Sequence, residues 1–276
     1  MDASIERIAV APQVHTARCP SSRNIMTTTM PTQIESESHR IPNRLANWLG
    51  ELWPSALRAQ VDRACADGWQ IDAPDAYCPR CGATVGAGGY TTDGCAFCVR
   101  DRVAWDRIVR LYGYREPVSD WVVAMKFVRQ WRWGLWFGRH LASQVRDTLT
   151  SGNTLVCPVP MYWLRRWRRG FNQADLIADT LAKRAKLTFA PLLTRTRYTA
   201  PQTAVVPSQR HRNVADSFAA IPADLTGRDV LLVDDVKTTG ATLSACARLL
   251  RRAGARRVDV AVVAVAAPHG DDFRKM

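Results

Sequence analysis

Two adjacent carboxylates, Asp234 and Asp235, followed by Thr238, Thr239, Gly240, Ala241 and Thr242, form the stretch of this chain best suited to hold a phosphorylated sugar. Gly240 lets the backbone approach closely, the threonine hydroxyls donate hydrogen bonds, and successive N–H groups can wrap one phosphate. The carboxylates suit sugar hydroxyls or a magnesium ion. Phosphate plus diol points to a ribose 5-phosphate. Neither G-x-x-x-x-G-K-[ST] nor G-x-G-x-x-G occurs, which excludes the Walker loop and the dinucleotide fingerprint. A solvated Asp-Asp turn with a threonine helix cap would explain each part singly, but not their order.

A second group is Cys78, Cys81, Cys95 and Cys98, two C-x-x-C knuckles flanking a glycine-rich stretch. Pairs at this separation can bring four thiolates to one tetrahedral zinc. A thioredoxin-like motif would need a single C-x-x-C opening a helix, and Gly82 argues against that. A closed four-cysteine site has no open coordination position, so zinc here would organise the fold and not catalyse. Cys65, Cys157 and Cys246 read as buried thiols.

The third group is a loop after the strand Leu155 to Val159. Trp163, Arg165, Arg166, Trp167, Arg168 and Arg169 place four guanidiniums beside two indoles. Arginine holds phosphate bidentately and stacks on bases, so the loop suits pyrophosphate, a nucleic-acid backbone, or both; a solvated basic loop is the alternative. A further aromatic cluster, Trp121, Phe127, Trp131, Trp133, Trp136 and Phe137, is interleaved with Arg129, Arg132 and Arg139. It fits a stacking surface for single strands, but the helical spacing of Trp121, Met125 and Val128 favours a core face.

These groups need elements to position them. Val230 to Val233 reads as a strand buried on both faces of a parallel sheet, ending at the aspartates where open α/β sheets present ligand-binding groups. Leu243, Cys246, Leu250 and Ala253 give the following helix an apolar face, and its N-terminus would point at the threonine loop. Ala174, Ile177, Ala178, Leu181 and Ala185 mark another such helix. Near the start, Leu45, Trp48, Leu49, Leu52 and Trp53 predict an amphipathic helix interrupted at Pro54. The expected organisation is a disordered tail over 1–40, a helical lead over 41–76, a zinc ribbon over 77–103 and an α/β domain with a mainly parallel sheet over 104–276.

The net charge of +13 and pI near 9.9 favour an anionic partner, nucleic acid or a phosphorylated metabolite, unless an arginine-rich proteome explains them. The surplus lies in residues 151–276, which hold 20 Lys or Arg against 10 Asp or Glu. No apolar run approaches the roughly 20 residues that span a bilayer, so no membrane insertion and a cytoplasmic location are expected. Eight cysteines in such a chain argue for metal over disulfides.

The stretch LLVDDVKTTGAT resembles the phosphoribosyl pyrophosphate signature of type I phosphoribosyltransferases, with Lys237 where those relatives usually carry an apolar or aromatic residue. PVP, RRGFNQ, R-x-R-Y-x-x-x-Q and RHRNVADSF precede it, and in this order the motifs resemble the ComF family, relatives of amidophosphoribosyltransferase linked to DNA uptake in competent bacteria. The resemblance spans about residues 45–266 and includes the cysteine ribbon. It implies a type I phosphoribosyltransferase fold binding phosphoribosyl pyrophosphate with magnesium. Asp234 and Asp235 would be the catalytic pair at the ribose hydroxyls, Thr238 to Thr242 would hold the 5-phosphate, and the arginine loop would hold pyrophosphate. Arg195 to Asn213, with Tyr198, Gln202 and Arg210, would form a flap. The expected function is handling of incoming single-stranded DNA, with DNA-uptake machinery proteins as partners. The alternative is an active phosphoribosyltransferase whose acceptor no residue set here identifies.

Overall fold

Residues 230–233 and 260–265 consist of valine, leucine and alanine, and strands of this composition are satisfied only when both faces of their sheet are covered. The computed structural model describes residues 43–86, 88–100, 103–146, 148–149, 152–196 and 217–267, with side chains from residue 55 onward. In chain order the elements are α1 (Asn43–Ala66), β1 (Tyr90–Thr91), β2 (Gly94–Cys95), β3 (Arg107–Gly113), α2 (Val118–Phe127), α3 (Arg132–Arg146), β4 (Thr154–Pro158) and α4 (Trp163–Arg169). There follow α5 (Gln173–Ala185), β5 (Thr188–Phe189), β6 (Leu193–Arg195), β7 (Phe218–Ala220), β8 (Asp229–Lys237), α6 (Ala241–Arg252) and β9 (Arg257–Val265). The chain divides into two units, residues 1–73 and residues 74–276.

In the first unit α1 is one continuous helix through Pro54, where an interruption was expected. Proline removes one backbone donor, a loss that bends a helix more often than it ends one when helix-forming residues follow on both sides. Cys65, in this helix, is half-buried and disulfide-bonded, not the buried thiol that its sequence context suggests.

The second unit is built on a five-stranded, all-parallel sheet of order β3-β9-β8-β4-β5. From β4 the chain crosses through α5 to β5 on one side, and from β8 it crosses through α6 to β9 on the other. The adjacent strands β4 and β8 therefore flank the point where connections diverge, and the crevice at their C-terminal ends is where open α/β sheets bind ligands. The Val159 N–H donates to the Val233 carbonyl at 2.8 Å, so the strand ends that carry the arginines and the aspartates meet at this point.

The aromatic cluster divides. Trp121, Trp133, Trp136 and Phe137 are buried, with Trp121 stacked on Trp133 at 4.5 Å; of the helically spaced Trp121, Met125 and Val128 the first two face the core, and Val128, just past the end of α2, is exposed. Phe127 and Trp131, at the turn from α2 to α3, are exposed. Trp163 to Arg169, expected as a loop, form the helix α4, closed by Gly170 in the left-handed region (φ 84°) donating to the Arg166 carbonyl at 2.7 Å. Nothing in WLRRWRR breaks a helix, and glycine is the residue that stops one at low cost. Among the described residues no helix is long and apolar enough to cross a membrane.

Candidate functional site

The strand β8 is buried from Asp229 to Val233 and becomes half-buried from Asp234 onward. The two carboxylates emerge there. The Asp235 backbone N–H donates to Asp234 Oδ1 at 2.8 Å, which fixes one carboxylate against the other's main chain. Asp235 Oδ1 lies 3.3 Å from Lys126 Nζ, at the end of α2, and both side chains are nearly covered. The aspartates are thus less open to solvent than a strand end implies, and Asp235 is held by an ion pair.

Burial pushes the Asp234 carboxyl up to about 7, and the Asp235 charge adds to this; the Asp235 N–H, Lys126 and Arg195 pull the other way. Relative to an ordinary value of 3.8, the unfolded chain releases this proton first. The stability linked to Asp234 is complete below that value and is lost as pH rises to about 7, beyond which the penalty is constant. Asp234→Asn is therefore expected to match wild type near pH 4 and to be more stable at pH 8 by about 2 kcal/mol, after allowance for solvent at a half-buried site. Thermal melts without magnesium or phosphorylated ligand measure this, and an equal difference at both pH values would assign it to packing.

Cations from three elements surround the pair. Arg165 and Arg169, one turn apart on α4, are half-buried; burial lowers the Arg169 pKa, the Asp235 charge raises it, and the facing Arg165 charge lowers it. Arg195, at the end of β6 and stacked on Phe218 at 5.1 Å, is likewise lowered, first by burial and then by Arg165, with Asp234 opposing. Arginine stays charged through such shifts. Lys126, Arg169 and Arg195 thus act on the two carboxylates and Arg165 on both of those arginines, an excess of positive charge that a multiply charged anion would neutralise. The four arginines of α4 do not act together. Arg166 and Arg168 are exposed, and Arg166 Nη1 lies 3.7 Å from Asp175 Oδ2.

A second face of α4 looks outward, with Trp163 and Trp167 exposed by 65% and 77%. The α2–α3 turn meets the helix on its inward side: Arg169 sits over the Phe127 ring at 5.2 Å, and Arg129 Nη2 donates to the Arg168 carbonyl at 3.1 Å. Arg132 covers Trp131 at 5.0 Å.

On the other side of the aspartates is the threonine loop. Gly240 has φ 79° and precedes the first residue of α6, while Thr239 Oγ1 accepts from the Ala241 N–H at 3.4 Å. Ala241 and Thr242 open the helix, so their N–H groups belong to the turn that lacks intrahelical acceptors. A Cβ at Gly240 would stand 3.0 Å from Trp105 Cη2 and 3.2 Å from Lys237 Cε. The aliphatic stem of Lys237 thus packs over the loop, filling the place of an apolar residue. Trp105 Nε1 donates to the Arg80 carbonyl at 2.9 Å, which links the loop to the cysteine knuckle.

The four cysteines of that knuckle are all buried, with sulfur atoms within 4.8 Å of one another. Cys78 to Cys98 is 3.7 Å, Cys81 to Cys95 is 3.6 Å and Cys95 to Cys98 is 3.8 Å. Tetrahedral coordination at about 2.3 Å per sulfur requires separations of about 3.8 Å, so the donor set fits one metal ion. The Ala83 N–H points at Cys81 Sγ at 3.4 Å, the kind of contact that stabilises a thiolate ligand.

The sequence points to Asp234, Asp235, the threonine loop and all of Arg165, Arg166, Arg168 and Arg169 at one site, of which Arg166 and Arg168 are exposed. Lys126, whose sequence context is that of a solvated lysine at a helix end, and Trp105 carry no signal of the site in the sequence. Arg195 was visible only as part of a polar stretch. Tyr198, Gln202 and Arg210 lie outside the described residues.

The phosphoribosyl transferase domain family matches residues 138–276. Competence protein F of Haemophilus influenzae is 32% identical over 195 residues, covering 67% of this chain and 82% of that protein. DNA utilization protein YhgH of Escherichia coli is 34% identical over 188 residues, covering 66% of this chain and 81% of that protein. The purine phosphoribosyltransferase of Pyrococcus horikoshii superposes with TM-score 0.31 at 16% identity, over 48% of this chain and 74% of that one. The chain belongs to the phosphoribosyl transferase domain family and, within it, to the ComF family that contains competence protein F and DNA utilization protein YhgH.

Proposed function

We propose that this protein binds phosphoribosyl pyrophosphate with magnesium and handles incoming single-stranded DNA during DNA uptake, in the cytoplasm and together with proteins of the uptake machinery. The observation that carries the ligand reading is the meeting of two carboxylates, a glycine-threonine helix start and four cations at the divergence point between β4 and β8. Asp234 and Asp235 would take the ribose hydroxyls and Thr238 to Thr242 the 5-phosphate. Arg165, Arg169 and Arg195 would face pyrophosphate, and Tyr198, Gln202 and Arg210 would belong to a flap over it. Magnesium would offset phosphate charge beside the carboxylates. The names of the relatives, a competence protein and a DNA utilization protein, support the strand-handling role. So does the outward face of α4, where exposed indoles and arginines suit stacked bases and their backbone. Zinc at Cys78, Cys81, Cys95 and Cys98 would be structural.

The second reading, an active phosphoribosyltransferase, is favoured by the cations facing the position of a leaving pyrophosphate. In such a reaction the bond from C1 to pyrophosphate breaks and an acceptor forms the new bond at C1, with the departing charge stabilised by these cations.

Calorimetry with phosphoribosyl pyrophosphate and magnesium tests the pocket. Asp235→Ala and Thr239→Val are each expected to cost about 1–3 kcal/mol, or about 5- to 150-fold in affinity. In the same preparation, single strands should bind without strong sequence preference and more weakly as salt rises, and alanine at Arg165, Arg166, Arg168 and Arg169 should flatten that slope. No heat with wild type at millimolar ligand would refute the pocket, and unchanged strand binding in the quadruple variant would move the nucleic-acid surface elsewhere. Pyrophosphate release on adding candidate acceptors separates the two readings.

A further inference from the structure

Lys126 Nζ stands 3.3 Å from Asp235 Oδ1, with side-chain exposures of 11% and 14%. A lysine is seldom covered to this degree unless a carboxylate holds it, yet the ammonium has three donors and one carboxylate oxygen occupies only part of them. Its position on the site follows from its neighbours. Phe127, the next residue, lies under Arg169, and Arg129 donates to the Arg168 carbonyl, so the end of α2 belongs to the α4 flank of the aspartates. The opposite flank, at the threonine loop, is packed by Trp105 and Lys237. Lys126 therefore reaches Asp235 from the side where Arg165 and Arg169 gather.

We propose that Lys126 is a positioning and specificity residue of the phosphoribosyl site. Without ligand it anchors the Asp235 carboxylate, and with ligand its remaining donors contact the pyrophosphate, so that it favours phosphoribosyl pyrophosphate over ribose 5-phosphate. This rests on the pocket reading given above. Because the 5-phosphate is assigned to the far flank, loss of the ammonium should affect the two ligands unequally, which a merely structural role would not do.

The test is calorimetry of wild type, Lys126→Met and Lys126→Arg with phosphoribosyl pyrophosphate plus magnesium and, separately, with ribose 5-phosphate. Lys126→Met is expected to lose about tenfold or more in affinity for the pyrophosphate ligand and less than about threefold for ribose 5-phosphate, while Lys126→Arg stays within about threefold for both. Equal losses for the two ligands, or none, would overturn the proposal. Wild type binding neither ligand would overturn the pocket reading beneath it, a result distinct from the other two. Should Lys126→Met fail to fold, Lys126→Met with Asp235→Asn, which leaves no unpaired buried carboxylate, is compared with Asp235→Asn alone by the same ratio.

Discussion

Cys81→Ser protein is expected to contain far less than the about one zinc per chain expected of wild type and to lose at least about 3 kcal/mol of stability, with low soluble yield. The size of the effect comes from what the knuckle is attached to. Gly82, the next residue, is pressed against the sheet so closely that a Cβ there would meet Val265 Cγ2 at 2.8 Å and Ile108 Cδ1 at 3.3 Å. Its carbonyl accepts from Arg110 Nη1 at 2.6 Å, and Thr84 Oγ1 accepts from Nη2 at 2.9 Å. Arg110 is completely buried on β3, so the ribbon supplies acceptors to a charge that would otherwise be costly there. The Ile108 N–H also donates to the Pro79 carbonyl at 2.8 Å. Releasing the knuckle therefore exposes the β3 edge and withdraws the carbonyl that orients Trp105 beside Gly240. Chelation of the wild type should accordingly weaken phosphoribosyl pyrophosphate binding as well as stability. Elemental analysis of freshly purified, reduced protein with parallel thermal melts gives the answer. Iron, an absence of metal, or a melt unchanged by Cys81→Ser would overturn it.

The features legible in the sequence share one property: their parts are near neighbours in the chain. The strand, Asp-Asp, threonine loop and helix of the proposed phosphate site run without interruption from Asp229 to Arg252, so composition and order alone disclose them. The two C-x-x-C pairs lie within one short ribbon. Lys126 was not legible because its partner is Asp235, far along the chain, and the contact exists only after α2 folds onto the end of β8. A lysine next to exposed Phe127 reads as solvated until that packing is known. The inward pair Arg165 and Arg169 is not legible while WLRRWRR reads as a loop; in a helix, one-turn spacing separates the half-buried Arg165 and Arg169 from the exposed Arg166 and Arg168. In the aromatic cluster the helical period identified the core rings, but it could not show that Phe127 and Trp131 fall at a helix–helix turn and remain outside.

Gly138→Ala is expected to destabilise the protein by about 3 kcal/mol, whereas Gly134→Ala, one turn earlier on the same helix, should be close to neutral. Both glycines lie on the face of α3 that packs on α5, and both would gain helix propensity of about 1 kcal/mol from alanine. What differs is the obstacle. A Cβ at Gly138 would stand 2.6 Å from the Ile177 carbonyl oxygen and 2.7 Å from Thr180 Cβ, main chain and branch point of α5 that cannot rotate away. At Gly134 the nearest atoms are Cδ2 and Cγ of Leu176, at 2.7 and 3.0 Å, which a rotamer change can move. Relief at Gly138 therefore requires α5 to shift as a body. That helix is not free to shift, because Asn172 at its N-terminus donates to the Val159 carbonyl at 3.1 Å and accepts from the Ala174 N–H at 3.2 Å. Displacing it would drag the end of β4 and the arginine helix α4 that lies between them. Gly138→Ala should thus melt lower by about 6–12 °C, and it should also weaken phosphoribosyl pyrophosphate binding though it touches no ligand. Thermal melts and calorimetry on the two variants decide the matter. Equal effects at Gly134 and Gly138 would mean that α3 and α5 are free to separate and that the arginine helix is not positioned through their contact.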